Sequence, residues 1–236
     1  MALGMLKSLV HRLGRAYIDT ICRREFESQQ LLRLNERAIE FRFLFHHLNN
    51  LRPIRVLDIG TGTTALPHLI RSCGFLVTAT DNIRDYWPEG MFNRHFYVIN
   101  DDITRTKLKD QVDFIACVSV LEHIRDVDGA IASMFRLLKP GGHIVITCPY
   151  KETQYVENVY KMPGSSYGQD LPYICQMYSR MQVNQWLELN NGRLVEQEFW
   201  QCWEGELWTF GGAVSPPRQV SATDNHQLTC LLLQKV

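Results

Sequence analysis

Two glycines near residue 60 stand in a spacing that suits the binding of a small polar ligand. Gly60 and Gly62 follow a short apolar run in VLDIGTGTTAL (56–66). Glycine lets the chain turn sharply and approach a ligand without a Cβ in the way. A helix that begins after this loop offers free N–H groups to a polar or anionic group of the ligand. The segment 60–65 satisfies the G-x-G-x-x-G/A fingerprint, which by itself leaves the kind of nucleotide ligand open.

Asp58, two residues before the first glycine, indicates which ligand the loop suits. A carboxylate at this place would repel the pyrophosphate of a dinucleotide. S-adenosylmethionine carries a sulfonium and an ammonium group, so Asp58 favours this cofactor over NAD(P). The alternative interpretation is that Asp58 only hydrogen-bonds the backbone of a turn.

His123 has the type and the place that suit proton transfer. It lies in VSVLEHI (118–124), directly after an apolar run that is typical of a buried strand. Histidine titrates near neutrality, and ligands of α/β proteins bind at the carboxyl edge of the sheet. His123 is therefore a candidate general base. The alternative, which stays open, is that Glu122 and His123 merely begin a helix, where the helix dipole favours Glu.

Alternating strands and helices must position these residues. Short apolar, β-branched runs predict strands, and apolar residues that recur at intervals near 3.6 predict helices. This alternation predicts an α/β three-layer sandwich with a mostly parallel seven-stranded sheet, an antiparallel closing strand and N-terminal helices. Residues 1–50 are expected to form a helical extension and residues 51–236 the main domain. The predicted strands are 54–60, 75–81, 95–101, 112–120, 143–149, 193–201 and 227–235, and the predicted helices after the N-terminus are 24–49, 64–73, 122–138 and 179–190.

Aromatic residues crowd the segments that follow the fifth predicted strand. Rings with hydroxyl groups suit a sugar or an aromatic metabolite, although most are expected to pack a small lid onto the sheet. The rings in question are Tyr150, Tyr155, Tyr160, Tyr167, Tyr173, Tyr178, Phe199, Trp200, Trp203, Trp208 and Phe210.

Composition limits the partners and the compartment. The 236 residues carry 25 basic and 25 acidic side chains, so no basic excess points to a nucleic-acid partner. The seven cysteines include no C-x-x-C pair, which argues against a disulfide framework and a zinc site. A reducing, cytoplasmic location is the natural expectation, and no metal ligands are predicted.

The first 24 residues read as a basic amphipathic helix. Leu6, Leu9 and Leu13 fall on one side, and Lys7 and Arg12 fall on the other. Such a helix packs on its own domain or on a second subunit of a homodimer, or it makes weak contact with an anionic membrane surface. The sequence leaves these alternatives open.

The chain resembles class I S-adenosylmethionine-dependent methyltransferases over roughly residues 40–236. VLDIGTG is similar to the first motif of that family, with Thr64 in place of its third glycine. FIACVSVLEHI (114–124) resembles the fourth motif, and FRLLKPGGHIVITCPY (135–150) resembles the signature around the fifth strand. Within that family the chain resembles small-molecule and glycan methyltransferases, the latter through the stretch NERAIEF (35–41) ahead of the first motif.

The resemblance implies which residues hold the cofactor. Asp81, in VTATDN, matches the acid that binds both ribose hydroxyls, as suits a carboxylate facing a cis-diol. Asp102 and Ile103, in VINDDIT, match the adenine-binding segment, with Asp101 as the alternative acid. The full predicted cofactor set is Asp58, Gly60, Thr61, Gly62, Asp81, Asn82, Asp102, Ile103 and Ser119.

The predicted reaction is methyl transfer from S-adenosylmethionine to a small-molecule or glycan acceptor. The chain has neither an N/D-P-P-Y/F motif nor a catalytic cysteine motif, which favours an oxygen nucleophile. Two alternatives are an NAD(P)-dependent oxidoreductase or epimerase, and a non-catalytic relative that keeps only the cofactor site.

Overall fold

The computed structural model describes residues 2–29, 35–85 and 90–236, and it divides the chain into two units. The first unit, Met1–Arg33, contains helix α1 (Ala2–Glu27). The second unit, Leu34–Val236, contains the sheet and every other described helix. None of the described helices combines the length and the apolar character that crossing a bilayer requires.

The second unit alternates helices and strands as the sequence predicts. Its helices are α2 (Arg37–Leu51), α3 (Leu66–Ser72), α4 (Val127–Leu137) and α5 (Arg180–Leu189). Its strands are β1 (Arg55–Ile59), β2 (Leu76–Asp81), β3 (Val98–Asn100), β4 (Val112–Val118), β5 (Leu138–Pro149), β6 (Gly192–Trp203), β7 (Ala213–Val220) and β8 (Leu228–Lys235).

The strands form one mostly parallel sheet in the order β3-β2-β1-β4-β5-β8-β6-β7. The first five strands in this order, from β3 to β5, are parallel to one another. Strand β8 lies between β5 and β6 and is antiparallel to both. The predicted α/β class and closing antiparallel strand are thus confirmed. The predicted count of seven strands is corrected to eight, because β7 forms in a segment expected to be a connection. Its Pro216 and Pro217 are tolerated because β7 is an edge strand.

Two apolar cores cover the two faces of the sheet. Successive residues of a strand point to opposite faces, so Phe114 packs in the core with α2 and Ile115 packs in the core with α4. Strand β4 is buried along almost its whole length, as expected for a central parallel strand. This packing confirms three layers and holds the carboxyl ends of β1, β2 and β4 side by side.

Two predicted helices differ from the structure. The predicted helix 24–49 corresponds to the end of α1 and to α2, with residues 30–34 outside the described part of the chain. Helix α2 packs in the core of the second unit, although the sequence placed it in the extension. The predicted helix 122–138 is a single 3₁₀ turn, Leu121–His123, followed by α4, which begins after Asp126 caps the N–H of Gly129.

Candidate active site

A cavity of about 510 Å³ opens at the carboxyl ends of β1, β2 and β4. Its size lies in the range of small-molecule sites. It brings together seven of the ten predicted site residues, namely Gly60, Asp81, Asn82, Asp102, Ile103, Ser119 and His123. The remaining three, Asp58, Thr61 and Gly62, lie in or behind the loop that forms one wall.

The glycine loop is shaped by its backbone. Gly60 has φ of +70°, and a Cβ there would lie 2.4 Å from the side chain of Val120. Gly62 has φ of +56°, with open space where a Cβ would stand. Only glycine adopts such angles at no cost, so the loop keeps both the sharp turn and the free space beside it.

Asp58 does not line the cavity, and this corrects the expectation that its charge points toward a ligand. It is buried, and its Oδ2 accepts a hydrogen bond from the Thr61 hydroxyl at 2.8 Å. Burial raises the pKa of Asp58 to about 7, and the nearby charge of Asp81 adds to this despite the hydrogen bond from Thr61. In this structure Asp58 holds the loop from behind.

Asp81, the last residue of β2, lies on the cavity wall. Its Oδ2 accepts a hydrogen bond from the backbone N–H of Gly62 at 2.7 Å. Burial raises its pKa above the usual range, although this hydrogen bond opposes the rise. The contact joins the end of β2 to the glycine loop, and Asn82 extends the same wall.

Two neighbouring acids follow β3 and both line the cavity. Asp102 caps the 3₁₀ turn Ile103–Arg105 by accepting hydrogen bonds from the Thr104 N–H and hydroxyl through Oδ1. Asp101 accepts a hydrogen bond from the N–H of Lys107. The choice between the two acids therefore stays open on geometry.

A buried network behind Ser119 was not predicted from the sequence. Glu40 of α2 is fully buried and accepts hydrogen bonds from the hydroxyls of Ser119 and Thr147, at 2.5 Å and 2.7 Å. Its other oxygen pairs with Arg37 at 3.0 Å. Ser119 has φ of +50°, an unusual conformation for serine that this network holds in place. The sequence predicts the helix that carries Glu40. It does not predict the hydrogen bonds to Ser119 and Thr147, because these residues follow β4 and lie in β5, far along the chain.

His123 lies on the cavity wall with a defined tautomer. Its Nδ1 is 2.6 Å from the carbonyl oxygen of Ile174. A carbonyl only accepts, so Nδ1 carries the proton and Nε2 is the basic nitrogen. Burial lowers the pKa of His123, and the positive charge of Arg37 contributes, although the hydrogen bond to Ile174 opposes the change. The imidazole is therefore neutral at pH 7 and able to take up a proton.

Glu122 is a second buried acid beside this histidine. Burial raises its pKa to about 8, and the carboxylate of Glu40 contributes. Its Oε1 is 3.8 Å from Nε2 of His123, and its Oε2 has no hydrogen-bond partner within the described part of the chain. Glu122 is thus mostly protonated at pH 7, and a neutral carboxyl group does not stabilise the positively charged form of His123.

Most of the aromatic residues pack rather than line the cavity. Tyr150, Tyr160 and Tyr178 are buried, which agrees with the expectation of a packed lid. Of the rings singled out, Tyr173 lines the cavity, with its ring centroid 4.7 Å from that of His123. Pro172 and Ile174 complete this end of the cavity. Across the described ranges, no three His, Cys, Asp or Glu side chains are grouped as metal ligands.

Sequence comparison assigns the chain to a family. The chain matches the methyltransferase-domain family over residues 24–197, which is more than half of its length. It is 28% identical to a ubiquinone biosynthesis O-methyltransferase of Pseudomonas fluorescens over 102 residues, which are 40% of this chain and 44% of the relative. A relative of the same name from Rickettsia typhi is 25% identical over 110 residues, 43% of each chain. The match thus spans less than half the length of these curated relatives.

Solved structures agree in fold. The 1,6-didemethyltoxoflavin-N1-methyltransferase of Burkholderia thailandensis superposes with a TM-score of 0.56 at 16% identity, covering 85% of this chain and 79% of that one. The magnesium protoporphyrin IX methyltransferase of Synechocystis PCC 6803 gives 0.51 at 12% identity, covering 85% and 83%. At such identities the likeness concerns the fold alone. The family match identifies the chain as a member of the methyltransferase-domain family, and its fold is the class I fold of these solved methyltransferases.

Proposed function

We propose that the cavity binds S-adenosylmethionine along the wall from the glycine loop to the 3₁₀ turn after β3. Asp81 would accept hydrogen bonds from the ribose hydroxyls, with Asn82 beside it. Ile103 would pack against the adenine, and Asp102 or Asp101 would accept its amino group. Gly60 and Ser119 would border the methionine part, with Thr61 and Asp58 supporting the loop.

The shape and charge of this wall support the assignment. Because Gly62 has no side chain, the space beside the loop is open at this position. One oxygen of Asp81 is held by Gly62, so the carboxylate is fixed in direction before any ligand arrives. The bound cofactor supplies an electrophilic methyl group. The acids along the wall suit its positive charge, whereas they would repel a pyrophosphate.

The end of the cavity near His123 is the proposed acceptor site. Nε2 of His123 would take the proton of an acceptor hydroxyl as its oxygen attacks the methyl group. The observation that carries this role is the hydrogen bond from Nδ1 to Ile174, which orients the ring and leaves Nε2 basic. Tyr173 and Pro172 give this end flat apolar surfaces.

These features favour oxygen methylation of a small ring-shaped acceptor, with a phenol preferred over a sugar. A flat apolar wall packs well against an aromatic ring, and a base is useful because a neutral hydroxyl is a weak nucleophile. The curated relatives are named as O-methyltransferases of ubiquinone biosynthesis, which supports oxygen as the acceptor atom.

A methyl-transfer screen tests this proposal. The protein would be incubated with methyl-labelled S-adenosylmethionine and matched sets of phenols, catechols, sugars and amines, and the products identified by mass spectrometry. We expect methyl ethers from a phenol or catechol. Transfer to amines alone would overturn the oxygen assignment, and transfer to sugars alone would overturn the preference for an aromatic ring.

A further inference from the structure

Helix α1 (Ala2–Glu27) carries a face of large apolar side chains that the described residues of its own unit leave uncovered. Six of them are between 52% and 76% exposed, far above what large apolar residues reach inside a protein. They are Met5, Leu6, Leu9, Val10, Leu13 and Tyr17.

Helical geometry collects these six side chains on one side. With 3.6 residues per turn they fall within a sector of about 140° around the axis. Lys7, His11, Arg12 and Arg15 lie outside this sector, and the first acid of the helix is Asp19. The first four turns therefore combine a wide apolar face with a basic polar face, and the first acid, Asp19, follows Arg15 by one turn.

We propose that residues 5–21 of α1 bind the surface of an anionic lipid bilayer. The apolar face would enter the boundary between headgroups and acyl chains, and the cations beside it would contact lipid phosphates. A helix with a strongly apolar face, a basic polar face and low overall hydrophobicity lies in the plane of the interface in this way. Arg12 borders the apolar sector, where its long side chain reaches the headgroups.

The residue pattern favours a lipid surface over a second copy of the helix. Pairing of two helices needs a narrow apolar seam that is repeated over three or four heptads. Here an apolar seam at this spacing runs through Leu6, Val10, Leu13 and Tyr17. Its next positions are Thr20 and Arg24, so it ends after two heptads. A broad apolar face of this short length fits a bilayer surface better than a coiled coil.

Charge supports the same partner. An anionic membrane attracts each nearby Lys or Arg by about 1 kcal/mol, and the attraction is screened by salt. Three such residues, Lys7, Arg12 and Arg15, precede Asp19 on the helix. This inference uses only α1, so it stands or falls independently of the proposed acceptor.

Vesicle flotation of the full chain tests the inference. The probes are vesicles of pure phosphatidylcholine and vesicles that also contain phosphatidylglycerol, each at low and high salt. We expect binding to the phosphatidylglycerol vesicles at low salt, with weaker binding at high salt and to pure phosphatidylcholine. Absence of binding to the anionic vesicles at low salt would overturn the proposal.

Three variants locate the surface. Leu9→Gln with Leu13→Gln removes apolar contact and should weaken binding by more than about 100-fold. Arg12→Gln with Arg15→Gln should weaken it by about 30-fold. Ile18→Gln is the matched control, because Ile18 is 59% exposed but lies on the polar side; it should bind as the unchanged protein does.

Two outcomes would replace this proposal with another. If all three variants bind equally well, a different surface contacts the lipid. If the unchanged chain is a dimer by light scattering, ignores vesicles and becomes monomeric on the Leu9 and Leu13 substitutions, the face is a subunit interface. Calorimetric titration with S-adenosylmethionine checks that each variant remains folded, because cofactor affinity should be unchanged.

Discussion

At the scale of single residues, Asp81 tests the cofactor site most directly. It lines the cavity, and Gly62 holds one of its oxygens. Asp81→Asn keeps the shape but replaces an acceptor with a donor, so we expect at least about a tenfold loss of S-adenosylmethionine affinity by calorimetry. Asp110→Asn, exposed and outside the cavity, is the matched control. Equal affinities for the two variants would exclude Asp81 from ribose binding.

His123 provides the second test at this scale. His123→Gln should lower turnover by about 10²- to 10⁴-fold and leave cofactor affinity unchanged, because a general base acts on the acceptor. His68→Gln, an exposed histidine of α3, is the control.

The pH profile separates a base from a structural histidine. The neutral imidazole is the active form, so activity is lost as pH falls through the pKa of His123. Burial lowers that pKa below its usual 6.5, so the acid limb of kcat should lie below pH 6.5. An acid limb above pH 6.5, or one that persists in His123→Gln, would remove His123 as the base.

At the scale of elements, the turn from β1 into the glycine loop depends on Gly60. Gly60→Ala adds a methyl group 2.4 Å from Val120 at a backbone angle of +70°. Gly74→Ala is the control, because Gly74 also has positive φ but has open space at the Cβ position. We expect Gly60→Ala to cost about 1–3 kcal/mol more than Gly74→Ala in urea unfolding, since overpacking adds to the backbone strain. Equal costs would show that Val120 moves aside.

Glu40 joins α2 to the ends of β4 and β5, and its substitution tests that connection. Glu40→Gln removes the charge that pairs with Arg37 and puts an amide where a buried carboxylate accepts two hydroxyl hydrogen bonds. We expect a loss of about 1–3 kcal/mol in the free energy of unfolding. Glu188→Gln, on the exposed side of α5, should change it by less than about 0.5 kcal/mol. A loss no larger than that of the control would mean that α2 is held by its apolar contacts alone.

At the scale of the whole molecule, the fold was predictable wherever the pattern was local. Buried strands such as β4 are apolar runs with few interruptions, and their alternation with helices predicts a parallel sheet. Strand β7 was missed because an edge strand that contains Pro216 and Pro217 has neither an apolar run nor clean alternation. The predicted helix 122–138 begins too early, because its first residues form a 3₁₀ turn, a change that periodicity does not show.

The site was predictable where loops follow strands, and less so where distant segments meet. Gly60, Asp81 and His123 share one cavity because the carboxyl ends of parallel strands lie at one edge. The prediction that the Asp58 side chain points into the ligand cavity was wrong. The sequence cannot show that the Thr61 hydroxyl donates a hydrogen bond to this buried carboxylate. Glu40 was missed, because its partners Ser119 and Thr147 lie far along the chain.

Two buried acids predict how the stability of the molecule depends on pH. The pKa is raised to about 7 for Asp58 and to about 8 for Glu122, whereas the unfolded chain ionises both groups near pH 4. Above pH 4 the folded protein therefore binds more protons than the unfolded chain. The stability that these two acids contribute is present below pH 4 and is lost as pH rises to their pKa values in the folded protein. Buried histidines with lowered pKa values, such as His123 and His226, act in the opposite direction, but only up to about pH 6.5.

Between pH 6.5 and 8 the two acids should therefore dominate. We expect the free energy of unfolding in urea to fall by about 2 kcal/mol over this interval. Asp58→Asn combined with Glu122→Gln should flatten the curve, because neither replacement side chain titrates. The matched control, Asp110→Asn with Glu188→Gln, changes the same residue types at exposed positions and should keep the slope. A stability that rises with pH over this interval in the unchanged protein would mean that Asp58 and Glu122 are ionised in the folded state.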